Sequence, residues 1–224
     1  MAKGAVIFFI LLGVVQVFQA QESKYKFTVF ANPCINWYAS DVKSTKTGGA
    51  TFGYDVGLNM DKYFAENYAF STGISIASLN GSASNTYAYS FSTKDDTSAV
   101  NLPANTNVKY NLQYLVVPFG LKFKSHEIGY TTIYAHLGLT SFMNINAHAT
   151  SGDAKGLLDN SNITDEIHFF NLGYHIGAGV MYSLRGGNAI VAGLTYTSGF
   201  VDITDNSKDK VTTRSIAIRL GFMF

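Results

Sequence analysis

The sequence predicts an all-β chain, an eight-stranded antiparallel up-and-down transmembrane β-barrel, on three observations. Eight segments alternate apolar and polar residues with a period of two. The connections between them alternate short and long. An apolar leader opens the chain, and no later stretch is apolar for long enough to cross a bilayer as a helix. Side chains point alternately to the two faces of a strand, so a period of two makes one face apolar and the other polar. A spanning helix needs about 20 apolar residues, whereas a tilted spanning strand needs about 10.

The leader is residues 1–20, MAKGAVIFFILLGVVQVFQA. Lys3 supplies a positive start, and Ala5 to Phe18 form an apolar run interrupted by Gly13 and Gln16. This is the grammar of a signal peptide, with cleavage expected between Ala20 and Gln21. Residues 21–224 then form one barrel domain, since no linker or composition break divides them.

The strands follow in order. The first is expected over 25–37. The second, 52–60, sets Phe52, Tyr54, Val56, Leu58 and Met60 against Gly53, Asp55, Gly57 and Asn59. The third lies at 68–79. In the fourth, 112–124, Leu115, Val117, Phe119, Leu121 and Phe123 oppose Val116, Pro118, Gly120 and Lys122. Pro118 has no N–H to donate, which predicts a bulge or a missing ladder bond. The fifth, 131–143, sets Ile133, Ala135, Leu137 and Leu139 against Tyr134, His136, Gly138 and Thr140. The sixth, 169–182, alternates from Phe170 to Tyr182. The seventh is 189–199. The eighth, 215–224, sets Ile216, Ile218, Leu220, Phe222 and Phe224 against Ser215, Ala217, Arg219 and Gly221.

Short connections are expected at 61–67, 125–130 and 184–188, and long ones at 38–50, 80–111, 144–168 and 200–213. Three turns and four loops place both termini at one end. Membrane barrels have short periplasmic turns and longer outer loops.

Composition separates a membrane barrel from a soluble one. Charged residues make up 14% of the chain, against about 25% in an average domain. The polar face carries mainly Gly, Ser, Thr and Asn, which suit a cramped interior better than a solvated surface. Aromatic residues gather near strand ends, among them Trp37, Tyr38, Phe52, Tyr54, Tyr68, Phe70, Phe142, Phe170, Tyr182 and Phe222. Such girdles mark the two membrane interfaces. The net charge is +1 and Lys3 is the one charge in the leader, so the mature chain is neutral. Neutrality gives no basis for nucleic-acid binding.

An eight-stranded barrel is just wide enough for its own side chains to fill. The inward positions place Asp55, Arg219, His136 and His175 near mid-height as an interior polar cluster. Asp55 and Arg219 are one strand apart, so an ion pair between them is expected, since a lone buried carboxylate is costly. His136 and His175 lie on adjacent strands.

The chain end, IAIRLGFMF, resembles the final strand of bacterial outer-membrane barrels, with Phe224, Phe222, Leu220 and Ile218 at the matching positions. The resemblance implies a signal read by the barrel-assembly machinery. YLVVPFGLKFK (114–124), NLGYHIGAGVMYSL (171–184) and LTYTSGFVDIT (194–204) resemble strands of the PorT-type, OmpX-like eight-stranded barrels of Bacteroidetes-type bacteria. That resemblance implies the outer membrane of a Gram-negative cell, contact with its lipid, and envelope proteins as partners.

No motif points to catalysis or to a cofactor. The five histidines show neither HxH nor HExxH spacing, and GxSxG, P-loop and CxxC motifs do not occur. Cys34 stands alone, which excludes an intramolecular disulfide. Acidic loops at 159–166 and 202–209 lack the spacing of a calcium-binding EF-hand. The expected role is a structural or interaction barrel that contacts partners through its surface loops. The alternatives are a component of an envelope secretion apparatus or a narrow solute channel, with a lipid-modifying enzyme behind both.

Overall fold

The computed structural model describes residues 24–91, 93, 100–152, 157–204 and 210–224. The leader, with Ala20 and Gln21, lies outside the described residues.

Eight long strands form the barrel: β1 (Tyr25–Ser40), β2 (Thr51–Ala65), β3 (Tyr68–Ser78), β4 (Asn107–Lys124), β5 (Thr131–Ser151), β6 (Phe170–Ser183), β7 (Ala189–Gly199) and β8 (Val211–Met223). Each pairs antiparallel with its neighbours in sequence. β1 and β8 close the sheet, from Thr28↔Met223 to Ser40↔Val211. Beyond the last strand residue, Phe224 and Phe27 exchange both backbone hydrogen bonds, at 2.8 and 2.9 Å. Closure leaves no long free edge, the condition a sheet must meet in hydrocarbon.

The faces follow the predicted alternation. On β5, Ile133, Leu137 and Leu139 are exposed while Tyr134, His136 and Thr140 are buried. On β2, Phe52, Tyr54, Val56 and Leu58 are exposed while Asn59 and Asp61 are buried. An exposed apolar belt around a polar lumen suits lipid, and in water it would be an aggregation surface. The inward glycines make room for large rings. Gly179 and Gly193 face each other across β6 and β7. A Cβ at Gly193 would stand 2.6 Å from the Tyr134 hydroxyl, so the pair is the floor on which that ring lies.

Pro118 interrupts the ladder without shifting it. Thr72 pairs with Phe119 and Ser75 with Val116, in one register, and the two positions between them are unpaired. The Thr72 hydroxyl donates to the Pro118 carbonyl at 2.9 Å and bridges the gap.

At the turn end β2 runs on to Ala65, so most of the expected turn 61–67 is barrel wall and the turn itself is residues 66–67. The loop end departs further from the expected boundaries. β4 begins at Asn107 and β5 runs to Ser151, so parts of the expected loops 80–111 and 144–168 are barrel wall. Gly81–Asn85 adds to β4 and Thr45–Thr47 adds to that strand in turn. Ser161–Asn162 pairs with β5 on the other side. In this extension the polarity is inverted. Val108, Tyr110 and Leu112 point inward and are buried, whereas Lys109 and Asn111 are exposed. A bulge between β4 and β5 puts Gln113 opposite Asn146 and Tyr114 opposite Asn144. Ile145, the extra residue, is exposed, and beyond it Ala147 and Ala149 turn inward.

The extension holds an apolar core. Tyr38, Leu79, Leu112, Tyr114, Val116 and Phe142 from the wall meet Leu102, Leu158, Ile163, Ile167 and Ile203 from the loops. Two residues expected in the aromatic girdle therefore lie inside. Tyr38 is 2% exposed and Phe142 is 3% exposed, because both occupy inward positions of their strands. A second, smaller apolar cluster of Tyr134, Met181, Ala189, Val191 and Met223 lies toward the turn end.

Candidate functional site: the barrel lumen

Between the two apolar clusters lies a polar layer around a cavity of about 90 Å³, lined by Asn32, Asp55, Lys122, His136, His175 and Arg219 among others. That volume holds a few water molecules. A wider basin of about 640 Å³ opens at the turn end, with Met181, Ala189 and Met223 among its lining residues.

All four residues of the predicted interior cluster line this cavity, but they are not joined as expected. Asp55 and Arg219 form no ion pair within 4 Å. β1 runs between their strands and its inward residue at that level is Asn32, in register with Asp55. The Asn32 amide donates to Asp55 Oδ2 at 3.1 Å, and its Oδ1 accepts the Leu220 N–H at 3.2 Å. One side chain thus serves the carboxylate on one side and the β8 backbone on the other. The latter is a substitute for the ladder bonds missing between Phe30↔Gly221 and Cys34↔Ala217, where Pro33 has no N–H. The Arg219 guanidinium instead lies over the Phe30 ring, 4.9 Å from its centre. We expect Asn32→Ala and Asp55→Asn to show stronger coupling in a double-mutant cycle than Asp55→Asn and Arg219→Gln do. Unfolding in detergent measures both cycles, and the reverse ranking would contradict the geometry.

His136 and His175 meet with ring centres 5.3 Å apart. His136 Nε2 is 3.2 Å from the Thr195 hydroxyl, and His175 Nδ1 is 2.8 Å from that of Thr140. Each imidazole has a hydroxyl partner, as buried polar groups require. Among the described residues no carboxylate is bonded to either ring.

Among the described residues, the ion pair found in the lumen joins two residues outside the predicted cluster. Lys122 Nζ donates to Asp61 Oδ2 at 2.6 Å, with the side chains 5% and 0% exposed. Asp61 Oδ1 also accepts from the Asn59 amide at 2.8 Å and the Ser71 hydroxyl at 2.7 Å. The ammonium lies 5.1 Å from the centre of the Tyr134 ring. A signal for Asp61 was present, because it continues the inward series 53, 55, 57, 59. Lys122 stands on the polar face of its strand in the same way.

Among the described residues no three His, Cys, Asp or Glu side chains gather as a metal site. Asp202 turns its carboxylate inward on the loop. Its Oδ1 accepts from the Thr204 N–H and hydroxyl, both at 3.1 Å, and from the Val211 N–H at 2.9 Å. Residues 205–209 of that loop lie outside the described residues. Cys34 is buried, with its thiol 3.2 Å from the Asn32 carbonyl. Of the expected terminal signal, Leu220 and Phe222 face outward, and the Phe224 ring stacks on Phe222 and Phe27 at 6.4 and 6.1 Å.

Solved barrels resemble this one at low identity. Neisserial surface protein A is 14% identical over 90% of this chain and 96% of its own, with a TM-score of 0.49. A major outer-membrane protein of Thermus thermophilus is 13% identical over 89% and 98%, with a TM-score of 0.49. OprG of Pseudomonas aeruginosa is 13% identical over 92% and 98%, with a TM-score of 0.47. No curated protein matches the sequence. The model of the outer membrane protein beta-barrel domain matches residues 19–205, most of the chain. With its closed sheet, apolar belt and polar lumen, the chain belongs to this outer-membrane β-barrel family and resides in the outer membrane of a Gram-negative bacterium.

Proposed function

We propose that this protein is a non-conducting barrel that holds a folded cap on the outside of the cell as a contact surface for partners. The carrying observation is the filling of the lumen. Apolar clusters flank the mid-lumen on both sides, and the space between them amounts to about 90 Å³. The loop segments are packed onto the barrel extension by their own apolar residues, which suits a surface of defined shape. In planar bilayers the purified protein is expected to give no stable ionic conductance. A large, steady conductance would reject the reading in favour of a channel. Protease applied to intact cells is expected to cut in the loops within 80–106 or 152–169 and to spare the turn at 66–67. Cleavage at that turn would reverse the orientation.

A second reading, a component of a secretion apparatus, draws on the PorT-type likeness of 114–124, 171–184 and 194–204. A discrete complex recovered from detergent-extracted outer membrane would favour it, and an isolated barrel would favour the first reading. In either role the terminal strand with Leu220, Phe222 and Phe224 serves as the signal to the assembly machinery. Deleting Phe224 is expected to lower the amount inserted in cells, and unchanged insertion would reject that assignment.

A further inference from the structure

Arg214 occupies a position on β8 that lipid chemistry explains better than protein contacts do. It lies on the outward face, in series with the exposed Ile216, Ile218, Leu220 and Phe222. Its cross-strand neighbours are Trp37 on β1 and Ser198 on β7. The rings of Trp37 and Tyr196 approach within 6.4 Å from the two strands that flank β8. Eight residues separate Arg214 from Phe222. That is about 26 Å of strand at about 3.3 Å per residue, or about 20 Å of height at a tilt near 40°. The apolar band of such barrels is about 25 Å tall, so Arg214 stands at its loop-end rim.

Among the described residues the guanidinium has no protein partner. Arg214 makes no ion pair and no hydrogen bond with them, and its Nε is buried and unpaired. The two Nη groups of a guanidinium carry four more donors in the same plane, and these fit phosphate oxygens in pairs. At a membrane rim beside an indole and a phenol, the acceptors within reach are lipid headgroups.

We propose that Arg214 and Trp37 form a binding site for the phosphate of a lipid A-type glycolipid in the leaflet around the loop end. This rests on the loops-outward orientation proposed above, which places that leaflet on the outside. Trp37 is the one tryptophan in the chain and reports on the site directly.

The test is a titration of the full-length mature protein, folded in detergent micelles, followed by Trp37 emission. Phosphorylated lipid A is expected to give a saturable change. Arg214→Gln should weaken the apparent affinity at least tenfold, Arg214→Lys should retain most of it, and Lys109→Gln, at an exposed loop-end position, should behave as the wild type. Lipid A stripped of its phosphates and inorganic phosphate alone should both fail to saturate. Equal affinity in Arg214→Gln, or an equal response to the dephosphorylated lipid, would overturn the proposal. Saturation by inorganic phosphate would also overturn it, by making the site one for free anions. The micelle assay does not depend on orientation. Protease cleavage of the turns in intact cells would therefore refute the orientation while leaving the titration to decide the site.

Discussion

Replacing Asp61 with alanine is expected to cost the barrel about 3–5 kcal/mol, the usual penalty for stranding one member of a buried ion pair. Lys122 would keep the Tyr134 ring, 5.1 Å away, as its remaining electrostatic partner. The opposite change should cost less. In Lys122→Met the Asp61 carboxylate still accepts from Asn59 and Ser71, so its charge stays partly compensated. Methionine also fills much of the space of the lysine stem. The double variant should cost less than the sum of the two single changes, because the second substitution removes the charge that the first one stranded. Denaturant unfolding from lipid vesicles measures all three. Additive losses, or a larger loss for Lys122→Met than for Asp61→Ala, would show that the pair is not the unit the distances describe.

Truncating Phe142 to alanine is expected to cost a comparable amount, about 3–5 kcal/mol, through a different cause. The ring is buried at the loop end and meets Tyr114 edge-on, with centres 6.1 Å apart. It also lines the mid-lumen cavity, so its loss would enlarge a space that the strands cannot collapse to fill. Phe52→Ala removes the same ring from a position that is 71% exposed on the outer face, and it should cost clearly less. The two variants compared in the same vesicles separate lumen packing from interfacial anchoring. Equal losses would mean that Phe142 acts as a girdle residue, against its buried position.

These two residues mark where sequence reasoning held and where it stopped. Alternation alone specified the strands, their order and their faces within the lipid band, because lipid outside and a narrow lumen inside impose opposite demands on alternate residues. Loop lengths specified that both termini share one end. Lys122 stands in the inward series of β4, whereas Asp61 falls in the expected turn 61–67, one step past the inward series 53, 55, 57, 59 of β2. Their pairing was not legible. Which of several inward charges meet depends on stagger between strands and on what the intervening strand carries. Asn32 on β1 decided against Asp55 and Arg219, and no spacing along the chain encodes that.

The loop end was the least legible part, for a definite reason. Strand recognition rested on an apolar face turned outward, and beyond Gln113 and Ile145 that rule reverses. Val108, Tyr110 and Leu112 turn inward while Lys109 and Asn111 meet water, so the same two-residue period carries the opposite polarity. A bulge at the change shifts the parity of β5 as well. The sequence by itself determined the barrel and its lipid-facing surface, because these depend on local alternation and on the solvent each face meets. Only the tertiary structure decided the folded cap, the Asp61–Lys122 pair and an Arg214 that has no partner among the described residues, because these depend on residues brought together across strands and loops far apart in the chain.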